Sequence, residues 1–170
     1  MNMDSINRML SGVDTDSKEL DSIVDTLVSQ CCEELDQYVM YIKGILDDQN
    51  NPITDAELDD FILTLPTLLY FAGTVQETMG IREDVAKMTE SDQYHRVFME
   101  TEGTVANKQA MAKLQTQDHT LTTIVYQRAS KKIKLRVEAA YEVLQSAKKV
   151  LSRRIAELEM SKTTPNRNQG

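Results

Sequence analysis

Apolar residues recur at spacings of three and four along the first third of the chain: Leu20, Ile23, Val24, Leu27, Val28, Cys31, Leu35, Tyr38, Val39, Ile42, Ile45 and Leu46. That period predicts one long amphipathic helix starting near Ser17. Lys18, Glu19, Asp21, Asp25, Glu33, Glu34 and Asp36 lie between those positions and give it a solvated, mainly acidic face. Residues 1–16 are polar and read as a flexible N-terminal arm. The run Asp47–Pro52 (DDQNNP) ends the helix with strong turn chemistry.

Thr54 followed by Glu57 fits a capping box and opens a second helix. Leu58 to Ala72 is apolar on most sides, so it is expected to be the central buried helix of the fold, bent or broken at Pro66. A partner groove or membrane role is the weaker alternative, because Phe61–Ala72 falls short of a span. Beyond Gly73 and Gly80 the pattern loosens through Ile81, Val85, Met88, Tyr94, Val97, Phe98 and Met99, and Gly103 is the next break. The Ala- and Gln-rich stretch after it, anchored by Val105, Met111 and Leu114, reads as a helix of moderate burial that runs close to the last one. From His119 to Ser161 there is no Gly or Pro, and residues 162–170 have the composition of a disordered tail.

The last helix carries a seam at Ile133, Val137, Ala140, Leu144, Ala147, Leu151, Ile155 and Leu158, close to a heptad. At 1.5 Å per residue it would be a rod of about 60–65 Å, longer than the roughly 40 Å diameter of a compact domain of this size. Its seam is therefore expected to pair with another copy, with a long intramolecular hairpin as the alternative. The predicted fold class is all-α: an elongated helical bundle whose long C-terminal helix forms a coiled-coil-like oligomerisation seam. The expected organisation is an arm (1–16), an acidic helical body (17–118), a long basic helix (119–161) and a tail (162–170).

Composition narrows the class. The chain has 170 residues, with six Gly, three Pro and no Trp, too little turn chemistry for an all-β fold. Cys31 and Cys32 are adjacent and poorly placed to bridge each other, and no signal-peptide core opens the sequence; a cytoplasmic, reducing setting without a membrane association is expected.

Charge changes the picture more. The net charge is -8, yet residues 1–118 hold 23 acidic and 8 basic side chains, whereas residues 119–170 hold 4 acidic and 11 basic. Such asymmetry points to nucleic acid, to a membrane surface or to self-association, unless the two halves neutralise each other within one fold. Arg128, Lys131, Lys132, Lys134 and Arg136 follow one another with no intervening anion, and Lys148, Lys149, Arg153 and Arg154 return to the same broad face. A phosphate backbone could be tracked along them. Docking onto the acidic first helix explains the same residues. Tyr126 and Tyr141 could stack on bases or simply pack.

Catalytic chemistry is not visible. There is no Gly-rich phosphate loop, and His95 and His119 cannot build most zinc sites alone. Asp92 and His95 have the spacing of helical di-metal bundles, but the partner Glu-x-x-His is missing. Cys31 and Cys32 have no nearby cations, so core packing is expected of them. No enzyme activity, metal or cofactor is expected.

The segment from about residue 95 to 160 resembles the UvsY-like phage recombination mediators in its order of elements. The matching elements are the basic stretch Arg128–Arg136, the Tyr141 to Leu144 seam, and Ser152 with Arg153 and Arg154. The resemblance implies a phage protein, active in the host cytoplasm: a homo-oligomer that binds single-stranded DNA and helps load a recombinase onto strands coated by single-strand-binding protein. Five phosphate contacts on a single strand would give a log-log salt slope of about -3.5. Two other readings stay open. One is a helical structural or adaptor protein (virion, scaffold or assembly chaperone) using the last helix only for protein contacts; the other is an acidic decoy acting through residues 14–60.

Overall fold

The structure is a computed structural model that describes residues 3–48 and 50–163, with side chains for 14–48 and 50–162. Among the described residues the fold is all-α, with four helices and no strand: α1 (Met3–Asp47), α2 (Asp55–Glu100), α3 (Val105–Gln115) and α4 (Gln117–Thr163). The expected flexible arm is helical from Met3 onward, because nothing between Met3 and Ser17 except Gly12 interrupts helical backbone. Most of the expected tail lies outside the described residues.

Local chemistry sets the boundaries. Asp48 ends α1 with an Asx turn, its carboxylate accepting from the Asn50 N–H at 3.0 Å and from Asn51 Nδ2 at 2.9 Å. The box at the start of α2 is reciprocal. The Glu57 N–H donates to Thr54 Oγ1 at 3.2 Å, and Glu57 Oε2 accepts from the Thr54 N–H at 2.7 Å. Gly103, at a φ of 115°, makes the turn into α3, where Thr104 caps by accepting from the Asn107 N–H. Thr116 is the one residue between α3 and α4, and its buried hydroxyl donates to Ala112 O at 2.8 Å.

The described residues fall into two compact units, divided within α1 between Cys32 and Glu33, within α2 between Gly73 and Thr74, and within α4 between Lys134 and Leu135; the first holds α3 and the parts of α1 before, α2 after and α4 before these points, and the second holds the rest. These units cut across the expected acidic body (17–118) and basic helix (119–161). Each unit takes part of α1, α2 and α4, so each contains acidic and basic segments.

In the second unit Leu35 and Ile42 of α1, Leu58, Phe61, Leu65 and Ala72 of α2, and Ala140, Leu144 and Ala147 of α4 form one core, with Val137 and Val150 packed against it. The middle of the α4 seam, expected to pair with another copy, is therefore filled by its own chain. α1 and α2 are themselves 45 and 46 residues long, so α4 has partners of its own length within the chain. Only the far end of the seam stays open, with Ile155 and Leu158 exposed.

The Leu58–Ala72 stretch is buried on one face only. Phe61 and Leu65 are fully enclosed, while Leu63, Tyr70 and Phe71 are exposed. The expected break at Pro66 does not occur: the helix continues through it. Proline there deprives the Ile62 carbonyl of its donor, while Phe61 and Leu65 before it and Ala72 after it anchor the segment in the core. By length and composition alone α2 includes a window apolar enough to cross a bilayer.

In the first unit the buried side chains are Val24, Val28 and Cys32 of α1, Met79 and Val97 of α2, Ala112 of α3, and Ala129 and Ile133 of α4. Cys32 points inward and Cys31 is half-buried.

Candidate nucleic-acid interface

Of the nine basic residues singled out on α4, four have acidic partners within the chain and four others have none among the described residues. Lys132 Nζ sits 2.7 Å from both Asp21 Oδ1 and Asp25 Oδ1 of α1. Those two carboxylates, Asp21 first, raise its pKa. Arg136 is bound by Asp36. Arg154 spans the start of α2, with Nη1 2.5 Å from Asp55 Oδ1 and Nη2 2.5 Å from the Ile53 carbonyl oxygen. Arg153 makes a long i,i+4 pair with Glu157 at 3.6 Å. The acidic face of α1 is thus a docking surface for part of the basic helix, and Lys132, Arg136 and Arg154 belong to the fold more than to a ligand.

Arg128, Lys131, Lys148 and Lys149 have no carboxylate partner among the described residues. In the first unit Arg128 and Lys131 converge with Lys134 on a groove of about 460 Å³ that Gln127 and Ser130 also line. Residues 127, 130, 131 and 134 share one helix face at i, i+3, i+4 and i+7. One carboxylate, Glu83 of α2, stands in the groove and is engaged by Lys87 at 2.6 Å. Three cations on one wall, with an amide and a hydroxyl between them, can hold successive phosphates of a strand. Lys148 and Lys149 lie exposed in the second unit.

What fixes this wall is the seating of α4 on α2. Glu90 accepts from Thr120 Oγ1 at 2.6 Å and from Thr123 Oγ1 at 2.8 Å. Both hydroxyls, Thr120 first, hold the Glu90 carboxyl below its ordinary range. With Ala129 and Ile133 turned into the core, the opposite face, which bears Arg128 and Lys131, must look outward.

Beside the groove is a second hollow of about 330 Å³, lined by Ile81, Arg82, Val85, Ala86 and Thr89 of α2 and by His119, Thr122 and Tyr126 of α4. Arg82 is far in sequence from the basic run of α4, so its place beside α4 comes from helix packing and not from any local pattern. Tyr141 is exposed on α4. Asp92 and His95 are exposed on α2, and no three His, Cys, Asp or Glu side chains converge among the described residues.

No protein-family model matches this chain, and neither does any curated protein or solved structure.

Proposed function

We propose that the protein is a non-enzymatic accessory factor that binds single-stranded DNA through the groove formed by Arg128, Lys131 and Lys134. The observation that carries this reading is the partition of the basic helix. Acidic partners quench Lys132, Arg136 and Arg154, while the groove keeps a row of cations together on an otherwise acidic chain. A row of cations with small polar donors is suited to a flexible phosphate backbone, and sequence-independent affinity follows from counterion release. The likeness of residues 95–160 to UvsY-like mediators extends the reading to a recombination role beside a recombinase and single-strand-binding protein in a phage-infected host cytoplasm. Ile155, Leu158 and Met160, exposed near the end of α4, are where copies would associate, and association would multiply a weak site by avidity.

A helical adaptor is the second reading. Exposed Leu63, Tyr70 and Phe71 on α2 favour it, since clustered apolar surface marks protein contacts. Fluorescence anisotropy with labelled oligo-dT separates the two. Wild type and the Lys148→Gln/Lys149→Gln variant should bind, and Arg128→Gln/Lys131→Gln/Lys134→Gln should not. Absence of binding by the folded wild-type chain would leave the adaptor.

A further inference from the structure

We infer that the hollow between Arg82 and Tyr126 takes one unstacked nucleobase of the strand whose phosphates lie in the neighbouring groove; this rests on the single-stranded-DNA reading above. Its volume, about 330 Å³, is at the small end of ligand pockets, enough for one ring system and too little for a folded oligonucleotide. Its walls are of two kinds. Ile81 and Val85 are apolar and more than half exposed, so covering them is favourable. Tyr126 is half-buried and brings an aromatic face; its hydroxyl has no hydrogen-bond partner among the described residues. Arg82 and His119 also line it and supply donors, and Arg82 has no carboxylate partner among the described residues. A flat aromatic ligand with polar edges satisfies all of these surfaces, whereas an aliphatic ligand would leave the donors unused.

The chain places this hollow next to the cations. Tyr126 is followed at once by Gln127 and Arg128, and Arg82 by Glu83, all three of them lining the groove. From Tyr126 to Lys134 the helix axis advances about 12 Å, so base and phosphates of one short stretch of strand can be held together. Stacking on an aromatic ring is indifferent to base identity, and the site would therefore add affinity without sequence preference.

The test compares oligo-dT with a strand of equal length and charge whose bases are replaced by abasic tetrahydrofuran residues, both titrated with the full chain at low salt. Wild type should prefer oligo-dT by roughly 5- to 150-fold, the worth of one base stacked on an aromatic side chain. Tyr126→Leu should bind both strands equally, and Tyr126→Phe should keep the preference. Val85→Glu, a surface change that puts charge in the hollow without touching the core, should abolish it as well. Equal binding of both strands by wild type would overturn the base site and leave the phosphate groove standing. Failure to bind either strand would overturn both.

Discussion

Arg136 of α4 donates to Asp36 of α1, one hundred residues earlier in the chain. This pair lies inside the second unit and removes from the basic stretch a cation that its sequence neighbours would otherwise suggest for phosphate. The same holds for Lys132 with Asp21 and Asp25. Charge asymmetry between the two ends of the chain is therefore partly an internal adhesive.

Arg136→Gln should lower stability by about 1 kcal/mol or less, the range of partly exposed ion pairs, and leave oligo-dT affinity within twofold. Urea denaturation and anisotropy on the same sample check both halves. A large loss of DNA affinity at unchanged stability would mean that the paired arginine still serves the ligand.

Leu144→Ala should cost roughly 2–5 kcal/mol, because the side chain is buried in a core shared with α1 and α2. Leu158→Ala, on the exposed end of the same seam, should cost little at low protein concentration. Thermal melts over a range of concentrations read the difference. If the whole seam were intermolecular, both variants would melt in a strongly concentration-dependent way.

Thr54→Ala removes the hydroxyl that caps α2 and should cost about 1 kcal/mol, measured by chemical denaturation. Thr54→Ser should retain most of the stability.

Glu90 gives a pH signature. Hydrogen bonds from Thr120 and Thr123 depress its pKa below the ordinary 4.5. A carboxylate depressed in the folded state contributes stability that is fully present above 4.5 and is lost as pH falls through the lower, folded value. Stability should therefore decline on acidification below about pH 4.5, and Thr120→Val/Thr123→Val should make that part of the decline shallower. Melts from pH 6 to about 3 test it; an unchanged acid profile in the double variant would show that the two hydroxyls do not hold the carboxylate.

Much of the helical framework was legible because it is local. The period that places Val24, Val28, Leu35 and Ile42 on one buried face is written in consecutive turns, as are the Thr54–Glu57 box and the Gly103 turn. What was not legible depends on distance or on a blurred period. Phe61 to Ala72 is apolar on nearly every side, so no pattern told that Phe61 and Leu65 would be enclosed while Leu63 and Tyr70 faced outward. The α4 seam was recognisable as a packing surface, but its partner, the core residues of α1 and α2, lies far away in the sequence. The nine basic residues could be named from the sequence, whereas their sorting needed the positions of Asp21, Asp25, Asp36 and Asp55. Arg82, distant from every basic cluster in the sequence, became part of the candidate site only through helix packing.

The salt dependence of oligo-dT binding tests most directly whether the groove cations hold a strand while Lys132, Arg136 and Arg154 do not. Three phosphate contacts predict a log-log slope of about -2 for wild type, shallower than the slope of about -3.5 that five cations acting together would give. The Arg136→Gln variant should keep the wild-type slope, and Lys131→Gln should make it shallower by about 0.7. Binding that is flat between 50 and 200 mM salt, the range over which phosphate contacts show themselves, or a slope unchanged by Lys131→Gln, would contradict the account.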